Sequence, residues 1–229
     1  MKVPMVTKTT SVPLLMLCFH AAAMTGGAVE FRVVNAIKDE ESRRNFDKEI
    51  ASEFARVLSD ATKLAWATLG QATASDRKDF AYVTLVVEGG YNEGDYSFFT
   101  RNNTIYLRGC FFDKHGVIGI LYREVTNIWQ FDGNGQADKG LLVGIAELLQ
   151  MRSGYTPVRW PKAGEGAFWN ERTTGVTAQF LEYCDTRRPG LVAKMARKMK
   201  TGYNERFFAE ITGRTVIQLW KEYKAAREN

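Results

Sequence analysis

Two histidines, His20 and His115, are the whole imidazole complement of this 229-residue chain. Chemistry that gathers several imidazoles at one centre is therefore excluded. The carboxylates offer more. Glu124 sits in the run Tyr122-Arg123-Glu124-Val125-Thr126-Asn127, and Glu147 closes Gly144-Ile145-Ala146-Glu147. Both stand among apolar residues at helical spacing, so both are expected on helices and partly buried. Two carboxylates sharing a cleft can do acid–base chemistry. Arg123, beside Glu124, carries a permanent cation. Asn127, one turn further on, brings only an amide. Arg123 is expected to pair with Glu124 or Glu147 and balance a buried charge, the alternative being an arginine turned outward to solvent.

The elements that position these residues follow from periodicity. Glu30 to Asn35 alternates as a strand, and Phe46 to Ala65 repeats as one long amphipathic helix. Ala81 to Val87 reads as a buried strand ending at Gly89-Gly90. Tyr96–Phe99 and Thr104–Leu107 form a hairpin turning through Arg101-Asn102-Asn103. After Cys110 the pattern becomes helical. Val117, Leu121, Val125 and Ile128 mark one helix, which places His115 before it, and Leu141 to Leu149 mark the next. A Gly-, Pro- and Trp-rich connection covers 153–166, and four more helices begin near Val176, Leu191, Phe207 and Val216. Strands precede helices, so the fold class is α+β, a small N-terminal mixed sheet with a long helix followed by a mainly helical half. No linker divides the chain, and 29–229 is expected to be one domain.

Composition narrows the partners. The chain has 31 Lys and Arg against 26 Asp and Glu, with 45% hydrophobic residues, an ordinary globular balance. Residues 1–28 read as a signal peptide, with Lys2 and Lys8 before a short apolar run, and small residues placing cleavage after Ala23 or Ala28. An N-terminal anchor is the alternative. Cleavage would lower the formal charge from +5 to +3 by removing two lysines and no acids, too little for a nucleic-acid binder. No later stretch is long and apolar enough to span a membrane. Cys110 and Cys184 then remain, an even pair that suggests one disulfide stabilising by about 4 kcal/mol if unstrained, or else two buried thiols. Asn102-Asn103-Thr104 is a glycosylation sequon. The basic run Arg187 to Lys200 overlies a Leu191, Met195, Met199 stripe and reads as a solvated helix face rather than a polyanion site. Trp129 is expected in the core, while Trp160 and Trp169 are cleft candidates.

The run Gly119 to Gln130, the loop Asp132-Gly133-Asn134-Gly135-Gln136 and Gly140 to Glu147 together resemble the plant basic secretory proteins, a family with a zincin-like metallopeptidase signature. Thr177 to Cys184, Lys198 to Tyr203 and Leu219 to Lys224 are similar to that family too, so the likeness covers nearly the whole mature chain. It implies a zincin-like fold and a helix bearing His-Glu-x-x-His, whose imidazoles hold zinc while the glutamate activates bound water. Here those histidine positions hold Arg123 and Asn127, and only Glu124, at the general-base position, remains. Val143 replaces a family glutamate, Glu147 stands at the aspartate position that the resemblance implies as a third ligand, and Thr173-Thr174-Gly175 replaces a Gly-Tyr-Asp run. No zinc or other cofactor is expected. The resemblance implies a secreted, apoplastic, monomeric pseudopeptidase in a defence or cell-wall setting, binding a peptide, protein or wall glycan. The alternatives are an active hydrolase using Glu124 and Glu147 in an unconventional site, and a storage or structural protein with no specific ligand.

Overall fold

The computed structural model describes residues 16–20, 29–89, 96–109, 114–157, 159–172 and 175–227. Its sheet has strands β1 (Met16–His20), β2 (Glu30–Asn35), β3 (Tyr82–Glu88), β4 (Tyr96–Arg101) and β5 (Thr104–Gly109), in the order β1-β2-β3-β5-β4. β2, β3 and β5 run parallel, and β1 and β4 are antiparallel at the two edges. β1 lies inside the segment read as a signal peptide.

Alternation decides which face of the sheet is covered. Phe31 and Val33, then Val83, Leu85 and Val87, then Ile105 and Leu107 point one way and are 0–4% exposed. They pack under helices α1 (Glu40–Glu49), α2 (Ala51–Thr68) and α3 (Lys114–Trp129). The intervening residues face outward, where Arg32 lies over the Tyr82 ring at 3.9 Å. The one long helix expected from Phe46 to Ala65 is two. Asp39 caps α1 by accepting from Ser42 N–H, and the helix ends at Ile50, whose φ of −120° departs from helical geometry.

The helical half comprises α4 (Lys139–Arg152), α5 (Val176–Arg187), α6 (Leu191–Lys198), α7 (Phe207–Thr212) and α8 (Val216–Ala225). The expected helix starts hold. His115 falls inside the first turn of α3 rather than before it, because that helix begins at Lys114. Leu191, Met195 and Met199 are buried, so the basic run is indeed the outer face of α6. Trp129 is fully buried as expected, edge-on to Trp66, with Nε1 donating to Thr62 Oγ1. Trp169 is not a cleft residue. It is 5% exposed and packs on Phe180 and Phe208, within an aromatic cluster that continues through Trp220 and Tyr223. Its position in a Gly-rich segment hid the fact that this segment lies against α5 and α7.

Cys184 is a buried free thiol on α5, not the half-cystine expected with Cys110, which lies outside the described residues. The core of α5 accommodates it as a small apolar side chain, the alternative the sequence left open. Among the described residues, no helix is long and apolar enough to cross a membrane.

α4 and α5 meet at Gly144, where an added Cβ would lie 2.2 Å from Thr177 Cγ2 and 2.5 Å from its Cβ. Thr177 cannot easily yield, since its hydroxyl donates to Glu171 O. Gly144→Ala is therefore expected to destabilise by about 1–3 kcal/mol despite alanine's better helix propensity, read as a lowered Tm. Alkali should act through the same core. Burial pushes the Cys184 thiol up to about 12 and raises the Tyr203 and Tyr223 hydroxyls. Each stays neutral when folded but ionises more readily when unfolded. Stability is then full below the unfolded thiol value of 9.0 and falls as pH rises through and above it. Melting curves at rising pH test this, and Cys184 should resist alkylation until denaturant is added.

Candidate functional site

α3 carries the central residues, and three anchors fix it. Trp129 wedges its C-terminal end against α2, Gln71 Nε2 donates to Trp129 O at 2.9 Å, and Leu121, Val125 and Ile128 are fully buried. Residues three apart share one helix face. That places Glu124 and Asn127 of α3 in a row with Gln130, the residue just past its end, whose N–H still bonds Thr126 O.

Glu124 is 5% exposed. A carboxylate so far from water must be met by donors. Thr100 Oγ1, from the sheet-edge strand β4, donates to Oε2 at 2.7 Å. Asn127 Nδ2 donates to the same oxygen at 3.2 Å, and Arg123 Nε donates to Oε1 at 3.2 Å. The Arg123 side chain is 32% exposed, so it reaches inward to the carboxylate while keeping partial contact with solvent. Of the two carboxylates expected to take this cation, Glu124 is the one. The row then continues. Gln130 Nε2 donates to Asn127 Oδ1 at 2.9 Å and to Leu142 O at 3.3 Å, linking the cluster to α4.

Glu147 is 2% exposed on α4 and takes part in a different arrangement. Its Oε2 accepts from Gly175 N–H at 2.8 Å, at the start of α5. A carboxylate is well placed at the positive end of a helix. Gly175 adopts φ 91°, a left-handed conformation that favours glycine, and an added Cβ would lie 2.9 Å from the Trp160 ring. Trp160 thus covers the junction where Glu147 meets α5. Its neighbours Thr173 and Thr174 lie outside the described residues. No hydrogen bond joins the Glu124 and Glu147 carboxylates among the described residues.

The donor set does not fit zinc. Position 123 holds a guanidinium engaged with Glu124, and position 127 an amide engaged with both Glu124 and Gln130. Among the described residues, no three His, Cys, Asp or Glu side chains are grouped to hold a metal. His115 lies apart from the cluster, its ring 4.9 Å from that of Tyr155. The arrangement can hold charge and shape a surface, but Glu124 already accepts three hydrogen bonds. Asn102, the sequon residue, is exposed at the β4–β5 turn with φ 54°.

Sequence reasoning missed Thr100 and Gln130. Gln130 was legible, since it follows Asn127 by three positions on a helix. Thr100 gave no local signal, because its partner is 24 residues away.

Replacing either donor should be costly in proportion to its burial. Thr100→Val removes the shortest bond to a buried carboxylate and is expected to cost about 1–3 kcal/mol in urea unfolding. Arg123→Ala, which exchanges a part-exposed cation for water, should cost less, on the order of 1 kcal/mol. A reversed ranking would mean that the guanidinium rather than the hydroxyl stabilises Glu124.

Comparison with known proteins completes the picture. The family described as peptidase of plants and bacteria matches residues 26–223. No curated protein and no solved structure matches the chain. With the match running from ahead of β2 into the last helix, the chain belongs to this family of plant and bacterial peptidases.

Proposed function

We propose that the protein is a secreted, non-catalytic member of its peptidase family, a binding protein that keeps the cleft and has exchanged its zinc site for a hydrogen-bonded cluster. One observation carries this reading: Arg123 and Asn127 both donate to Glu124. The family resemblance puts the zinc-binding histidines at those two positions and the water-activating base at Glu124. In this chain the first position supplies a cation and the second an amide, and the base is occupied by both. A water nucleophile would have neither a metal to acidify it nor a free carboxylate to deprotonate it.

The sheet edge beside the cluster favours a peptide or protein ligand over a wall glycan at this cleft. β4 is the outer strand at this end of the sheet and holds Thr100 against Glu124. An extended chain laid along a sheet edge gains main-chain hydrogen bonds without needing catalytic groups. Phe99 is 41% exposed on the same strand, where it stacks on Tyr106. A zincin-like architecture, loss of residues 1–28 after Ala23 or Ala28, a glycan on Asn102 and action as a monomer in the apoplast, in defence or at the cell wall, complete the reading. Such cleavage would remove β1 from the sheet.

The second reading is a hydrolase using Glu124 and Glu147 without a conventional metal site. The Gly175 N–H weighs against it, because it holds the Glu147 carboxylate at the start of α5.

Metal content separates the two. After dialysis against zinc-containing and then zinc-free buffer, the purified protein is expected to retain no stoichiometric zinc and to cleave no peptide. One zinc per chain together with chelator-sensitive peptidase activity would overturn the proposal. The Arg123→His/Asn127→His double variant should gain zinc that the parent does not bind, since two imidazoles four residues apart share one helix face.

A further inference from the structure

Two cavities lie side by side beyond the C-terminal end of α3. One, of about 230 Å³, is lined by Gln71, Phe131, Arg197 and Lys200, with Asp76 at its wall. The other, of about 320 Å³, is lined by Trp66, Gln71 and Arg77. Gln71 therefore belongs to both. It is 2% exposed, and its Nε2 is fixed by donation to Trp129 O. That assignment leaves Oε1 as a buried acceptor without a hydrogen-bond partner among the described residues, and Trp66 Nε1 is a buried donor in the same condition. A ligand offering both a donor and an acceptor would satisfy these two buried groups in adjoining cavities.

Cations converge on the smaller cavity. Lys78 and Lys200 both lie over the Phe131 ring, with Nζ at 5.9 and 5.7 Å from its centroid. The Arg197 guanidinium lies across Gly70, where an added Cβ would come within 2.6 Å of Nη1. Burial lowers the Lys78 ammonium from its ordinary value. Two nearby acids offset part of this charge, Asp76 through its attraction to Lys200 and Arg197 and Asp132 through Lys78, and they leave an excess of cations. Asp76 Oδ2 accepts from both the N–H and the hydroxyl of Thr73, and Asp132 acts on Lys78 only at a distance. Nor do the helix ends account for these charges. α2 and α3 both finish here, but Arg77 already serves the carbonyls of Gln71 and Ala72, and Gln71 serves that of Trp129. The side chains of Lys78 and Arg197 make neither a hydrogen bond nor an ion pair among the described residues. Lys200 Nζ donates to Ser75 O at 2.5 Å, a neutral carbonyl that leaves its charge in place, and like charges held together favour an anion between them.

We propose that these joined cavities bind an acidic oligosaccharide. Its anionic group sits among Lys78, Arg197 and Lys200, a hydroxyl donates to Gln71 Oε1, and the next sugar extends into the cavity beside Trp66. A bare inorganic anion would leave the Gln71 acceptor and the second cavity unused. Nucleic acid fits less well, because Arg77 already covers the Trp66 ring at 3.5 Å and the lysines cover Phe131, so these rings offer little open face for a base. The site is independent of the Glu124 cluster, and neither proposal depends on the other.

Isothermal titration of the full chain with trigalacturonate tests the proposal. Neutral maltotriose and inorganic sulfate serve as controls, and a fully sulfated disaccharide forms a parallel arm. Trigalacturonate or the sulfated sugar should bind at least about tenfold more tightly than either control, and the tighter of the two identifies the anionic group as uronate or sulfate ester. The Arg197→Gln/Lys200→Gln variant, with both changes at exposed side chains, should lose on the order of tenfold in that affinity while keeping its circular dichroism and Tm. Lys78→Gln should weaken binding similarly. Binding of neither acidic sugar, equal binding of sulfate or maltotriose, or undiminished affinity in the folded double variant would each overturn the proposal.

Discussion

A carboxylate removed from water must be compensated, and Glu124 shows how that constraint organises this molecule. Its 5% exposure would be untenable without donors. The protein supplies three, one from the strand at the sheet edge and two from the helix itself. Because Thr100 reaches across from β4, the same hydrogen bonds that satisfy Glu124 also hold the sheet against α3. Gln130 carries the connection onward to the backbone of α4. The buried carboxylate is thus held by a row of amides, a hydroxyl and a guanidinium. Such a cluster stabilises a shape, since every donor that satisfies the carboxylate also occupies it.

The second buried carboxylate follows the same rule by another means. Glu147 accepts from the backbone at a helix N-terminus, and Gly175 is the residue that allows the backbone to present its N–H there. Two acids that look equivalent in the sequence, each on an apolar helical stretch, thus have separate partners.

Much of this was legible beforehand. Periodicity placed the strands β2, β3, β4 and β5 and the helices that follow, because alternation and 3.6-residue spacing are local properties of the chain. The pairing of Arg123 with Glu124 was among the alternatives the sequence offered, since the two stand side by side on one helix. What could not be read were the long-range matters. The break at Ile50 lies within an apolar pattern that continues through it. Trp169 sits in a segment whose glycines suggest an open loop, yet tertiary packing buries its ring. Cys184 and Cys110 form an even pair by count, but the surroundings of α5 leave Cys184 a neutral thiol. The Thr100 hydroxyl found its acid only through the sheet's position against α3.

The link between Asn127 and Gln130 bears on how such a site could change over time. Asn127 accepts from Gln130 and donates to Glu124, so its amide serves two neighbours at once. An imidazole introduced there alone would disturb both bonds while the arginine at 123 still opposed a dication. Changes at 123 and 127 are therefore coupled rather than additive. Either substitution alone would leave Glu124 with fewer donors, so each position constrains which residue the other can hold.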